Sequence, residues 1–140
     1  MRRLVVTFAL FASFVTALWA QNAKDTEKAA ATRKLLSTKI SVDYSDTLLQ
    51  DVAKDLASQV KDAAKAELPI KVDTNSGASV NMKVNYTGKN KTVAEVLDEM
   101  GKKHDLGYIV INGKYKTYTK YDGYLLITKG TERGYPDKGK

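Results

Sequence analysis

Few residues in this chain have the type and spacing that chemistry needs. His104 is the only histidine, and there is no cysteine. A protein metal site takes several imidazole, thiolate or carboxylate ligands at workable spacing, so one imidazole at the end of a helical stretch reads as a solvated cap. Asp98 and Glu99 are adjacent in sequence, but helix neighbours do not face one another, and the two read as solvated carboxylates rather than an acid and base pair. No serine stands in a G-x-S-x-G turn, and no glycine-rich loop opens a helix as a phosphate cradle would. The sequence therefore gives no catalytic, cofactor-binding or metal residues, and the chain reads as non-enzymatic.

What remains is a surface. From Lys114 to Tyr124, lysines and tyrosines interleave, and Lys114, Lys116, Tyr118, Lys120 and Tyr121 form the candidate interaction surface. Basic side chains can hold a polyanion such as an anionic glycan while the rings stack on it. The same composition also suits plain strand packing and an edge guarded by lysine.

The elements that must carry these residues follow from hydrophobic period. Ile40, Val42 and Tyr44 alternate with Ser41 and Asp43, the period of a half-buried strand. Leu48, Leu49, Val52, Ala53, Leu56 and Val60 then follow helical spacing, in a helix expected to run close to Leu68-Pro69. Thr47 with Gln50 has the spacing of a capping box. A weaker second copy spans Met82 to Met100: Met82, Val84 and Tyr86 alternate, Thr92 with Glu95 form another capping box, and Val93, Val96, Leu97 and Met100 make the stripe. Gly88 to Lys91 reads as a loop into that helix. On it, Asp98 with Lys102 and Glu99 with Lys103 are spaced to pair.

Leu68 to Asp73 and Leu106 to Asn112 read as further strands. Asn112-Gly113 signals a hairpin turn, Lys114 to Tyr121 alternates as an inserted strand, and Tyr124 to Thr128 is the last strand. The expected fold is α+β: two βαβ repeats, two helices packed with small β-sheets, and a C-terminal β-hairpin extension that offers an edge for strand addition.

Compartment comes from the first residues. Arg2 and Arg3 precede an apolar run from Leu4 to Leu18, and Ala17-Leu-Trp-Ala20 fits a small-x-small cleavage site, so residues 1–20 read as a signal peptide. The chain is expected to be exported, to a periplasmic or extracellular location, with no transmembrane segment after cleavage. Without cysteine, stability must come from one hydrophobic core. The net charge is +7; the central residues are slightly acidic and the flanks basic. Export makes nucleic acid the least suitable polyanion, and none is expected as a partner.

Ile40-Ser-Val-Asp-Tyr-Ser-Asp-Thr-Leu-Leu-Gln-Asp-Val-Ala-Lys-Asp-Leu, then Tyr86-Thr-Gly88 leading to Thr-Val-Ala-Glu-Val-Leu and Leu106-Gly-Tyr108, resemble the secretin and TonB short N-terminal domain. The resemblance covers about Ile40 to Thr128. It implies contact with an envelope or outer-membrane protein, in a solitary domain without barrel or pore. The first helix and the last hairpin are longer than in that family, so only the module carries over, not transport or receptor function. The resulting layout is signal peptide 1–20, partly helical lead-in linker 21–38, the α+β domain 39–129 and a disordered tail 130–140.

Overall fold

The computed structural model describes residues 25–113 and 119–135. In chain order the elements are α1 (Glu27–Leu35), β1 (Lys39–Leu48), α2 (Leu49–Ala64), β2 (Ile70–Val72), β3 (Lys83–Thr92), α3 (Val93–His104), β4 (Leu106–Val110), β5 (Leu125–Lys129) and β6 (Arg133–Gly134). The fold is α+β, with a two-stranded sheet β1-β3 and a four-stranded sheet in the order β2-β5-β4-β6. Helix α2 packs on β1 and β2, and α3 on β3 and β4, so each helix bridges the two sheets. Leu49, Val52, Leu56 and Val60 of α2 join Val93, Val96, Leu97 and Met100 of α3 in one buried cluster.

The two halves are related by a near two-fold through the β1-β3 ladder. Lys39 pairs with Thr92 and Leu48 with Lys83, while Asp43 and Thr87 face each other at the centre, where Thr87 donates to Asp43 Oδ1 at 2.8 Å. Each strand bulges near its end, with Asp46 at φ 47° and Asn90 at φ 50°. Asn85 Oδ1 accepts from the N–H of Asp46, and Ser41 Oγ from that of Asn90. This register corrects the sequence alignment of the copies. Tyr44 and Tyr86 are not counterparts but cross-strand partners, and the residue matching Tyr44 is Gly88. Gly88 lies inside the strand rather than in a loop. A Cβ there would come within 2.6 Å of the Tyr86 hydroxyl, so the missing side chain makes room for that ring.

Helix starts differ from the sequence expectation at one of two places. At α3 the capping box is present: Thr92 Oγ1 accepts from the N–H of Glu95, and the Glu95 carboxylate accepts from the N–H of Thr92. Those bonds hold the Glu95 carboxyl below its ordinary range. At α2, Leu48 is the N-cap, with no side-chain bond, because Thr47 is still inside the strand. The N–H groups of Leu49 and Gln50 instead donate to the carbonyls of Met82 and Val80. The mirror pair exists at α3, where Val93 and Ala94 donate to Thr38 and Leu36. Helix α2 ends at Ala64, earlier than its alanine-rich continuation suggests, on Lys65 in the left-handed region at φ 56°.

At the ends of the domain, the lead-in is helical over part of its length, as its composition suggested, whereas the start of the expected disordered tail takes part in the fold. Within the lead-in, α1 is capped by Thr26 and buries Ala29 and Thr32. Thr26 Oγ1 and the N–H of Gly113 both donate to Asp122 Oδ1 at 2.7 Å, and Thr32 Oγ1 donates to the carbonyl of Gly123. These donors depress the Asp122 pKa, Thr26 foremost. In the expected tail, residues 130–135 are placed: β6 pairs parallel with β4, Arg133 meets Asp98 at 2.6 Å, and the Arg33 guanidinium lies 3.9 Å from the Tyr135 ring centroid. The remaining five residues and the signal segment lie outside the described residues. Asp98 also pairs with Lys102 as expected, but Glu99 takes Lys91 instead of Lys103.

Two outcomes test this arrangement. Thr92→Ala should cost about 1 kcal/mol in urea denaturation, whereas Thr47→Ala should change stability by less than about 0.5 kcal/mol, because of these two threonines only Thr92 caps a helix. Asp122 has a depressed folded pKa, so its contribution is complete above the unfolded carboxylate value of about 4 and is lost as pH falls through the lower folded value. The melting temperature should therefore drop on acidification through that window, and Asp122→Asn should flatten the slope.

Candidate functional site

Among the described residues the four-stranded sheet is open along β2. β2 runs parallel to β5, and the bonds Leu125 N–H to Pro69 carbonyl and Asp73 N–H to Ile127 carbonyl set the phase of that ladder. Lys71 therefore turns its backbone groups toward β5, while the N–H and C=O groups of Ile70 and Val72 face outward. Among the described residues nothing hydrogen-bonds to these outward groups. The other edges are blunted in ways that discourage pairing. β1 and β3 are bulged at both ends of their ladder, and β6 has two residues.

Alongside β2 runs a groove of about 510 Å³ whose far wall is α2. Ala53 and Ala57 on that helix, with Leu68, Pro69, Ile70, Val72 and Val80, make it largely apolar. Small residues on α2 leave this space open. Gln50 and Lys54 stand at its helical rim, and Lys71 and Tyr124 on the side of the sheet that faces away from the helices.

On that outer side Lys71 meets part of the predicted surface. Its Nζ lies 4.5 Å from the Tyr121 ring centroid and donates to the phenol oxygen at 3.4 Å, and Lys120 Nζ lies 5.4 Å from the same centroid. Lys71, then Lys120, lowers the Tyr121 pKa below its ordinary value. Tyr121 and Tyr124 meet edge to face and pack on Ile109, Ile111 and Leu126, a second small apolar cluster on the outer sheet face.

Of the sequence-predicted surface, then, Lys120 and Tyr121 are brought together. Lys114, Lys116 and Tyr118 lie outside the described residues. The expected strand ends differently, because Thr119–Tyr121 forms a 3-10 turn. The terminal hairpin also fails as an edge: β4 and β5 pair directly in antiparallel register and are flanked by β6 and β2. Lys71 and the α2 alanines were not singled out from the sequence. The alternation of Leu68 to Asp73 marks Lys71 as solvent-facing but cannot say which strand it borders.

The groups first considered for chemistry are tied up structurally. His104 Nε2 sits 3.2 Å from both the N and the O of Asn85, half-buried against β3 rather than solvated. Glu99 accepts from Lys91 and from the Tyr86 hydroxyl, which depress its pKa in that order. Asp98 is depressed by Lys102 and Arg133. Tyr44 donates to Asp55 at 2.8 Å, and burial, then that carboxylate, drives its phenol well above the ordinary range. Among the described residues no group of three or more histidine or carboxylate side chains could hold a metal ion, and no helix is long and apolar enough to cross a membrane.

Compared with known proteins, the chain matches no family model, no curated protein and no solved structure. A spectroscopic titration tests the site's electrostatics. Tyr121 should ionise below the ordinary phenol value of about 10, and Lys71→Met should move that transition upward, followed by the ring resonances of Tyr121 in NMR.

Proposed function

We propose that this chain is an exported, non-enzymatic protein-interaction module of the bacterial cell envelope, similar to the secretin and TonB short N-terminal domain, that docks an envelope or outer-membrane protein. The observation that carries this reading is the open β2 edge beside an apolar groove. Unpaired backbone groups next to a groove accept an extended segment as an added strand: the main chain supplies the bonds and the groove takes alternate side chains. The arrangement of two helices between small sheets agrees with the resemblance, and the apolar run Leu4 to Leu18 supports export.

A second reading, binding of an anionic glycan or other polyanion at the cell surface, is favoured by Lys71 and Lys120 converging on Tyr121. Salt separates the two, because contacts made mainly by exposed charges are screened at high ionic strength.

Crosslinked pull-down from the envelope fraction, washed at low and then high salt, should retain one protein partner. Ala57→Arg, which fills the groove from the α2 side, should lose that partner while its circular dichroism and melting curve stay those of a folded chain. Retention of only salt-sensitive polysaccharide would overturn protein docking in favour of the second reading. Undiminished capture by a folded Ala57→Arg chain would move the contact away from β2.

A further inference from the structure

We infer that the β2 groove takes an extended protein segment in which apolar residues alternate with acidic ones. This rests on the protein-interaction reading above and specifies what the partner must present.

The geometry makes the two demands together. In a strand added beside β2, successive side chains point to opposite faces of the sheet. Gln50 and Lys54 stand at the helical rim of the groove, but the floor that inner-face side chains would meet is Ala53, Ala57, Ile70, Val72 and Val80, which offer apolar contact. Polar residues there would lose their water without compensation. On the outer face the neighbouring position of β2 is Lys71, exposed at the sheet edge, with Lys120 across the Tyr121 ring. Among the described residues neither lysine pairs with a carboxylate. A carboxylate on the added strand beside Lys71 gains charge pairing, whereas a lysine there would be repelled.

Nearby charges are engaged elsewhere. Asp51 on α2 is 3.6 Å from Lys54, and the Asp73 carboxylate accepts from the N–H of Asn75 in the turn after β2. Lys71 and Lys120 thus place two positive charges along the outer rim beside Ile70, with the Asp73 carboxylate at the end of β2. The same two lysines that could hold a free polyanion instead read the outward residues of a bound strand, and the apolar floor requires that the ligand be a polypeptide with a second, hydrophobic face.

The test uses the full chain and three short capped fluorescent peptides, alternating valine with glutamate, with lysine or with serine, followed by fluorescence anisotropy. The valine-glutamate peptide should bind at least about tenfold more tightly than the other two, a difference of about 1.4 kcal/mol. Lys71→Glu combined with Lys120→Glu should reverse the preference toward the lysine peptide. N-methylation of alternate residues in the glutamate peptide, which removes backbone donors without altering the protein, should abolish binding. Equal binding of the serine and glutamate peptides would overturn the acidic preference and leave strand docking intact. Undiminished binding of the N-methylated peptide would overturn strand addition. Binding by none of the three, with a partner still captured in the pull-down, would overturn this inference and leave the interaction reading standing.

Discussion

The fold depends on a reciprocal exchange of helix caps. The first backbone N–H groups of a helix have no intrahelical acceptor and must find one elsewhere. In this chain the segment entering β1 supplies carbonyls to α3, through Thr38 and Leu36, and the segment entering β3 supplies carbonyls to α2, through Met82 and Val80. Neither half can complete its own helix start. The antiparallel β1-β3 ladder brings the two entrances into register, and the bulges at Asp46 and Asn90 let each strand turn directly into its helix.

That exchange explains the unequal sheets. β1 and β3 are committed to one another on the side of the helices away from β2 and β4, so the four-stranded sheet is assembled from the strands that follow the helices plus the C-terminal pair. β5 takes the central place between β2 and β4, and β6 covers the far side of β4. Hydrophobic burial by α2 and α3 holds the layers together; among the described residues no buried side-chain nitrogen or oxygen lacks a hydrogen-bond partner. The N-terminal helix is then fastened to the turn between β4 and β5 through Asp122, and to β6 through Arg33.

An open sheet edge is left among the described residues where this closure stops. Among the described residues β2 has a partner on one side only, and α2 presents alanine beside it where a larger residue would have filled the groove. The tyrosine and lysine cluster borders the same edge because β5 and the turn before it lie next to β2. Apolar floor, unpaired backbone and positive rim therefore coincide for reasons of topology, although the residues responsible are far apart in sequence.

Much of the local structure was legible from residue pattern. Helical spacing located α2 and α3, Thr92 with Glu95 specified a helix start, and the strand and helix order implied an α+β fold with one core, because these signals act over a few residues. Thr47 and Gln50 had the same spacing as a capping box but did not form one, since carbonyls from a distant loop satisfied the helix instead. The partnership of Tyr86 with Gly88, the order of α1 and β6, and above all the placement of β2 rather than the terminal hairpin at the sheet edge were decided by tertiary structure. The sequence by itself determined where the two long helices and the main strands lie and which of their faces are apolar; only closure of the whole chain decided which backbone groups among the described residues remained without partners, because a strand's edge is defined by neighbours that its own residues do not specify.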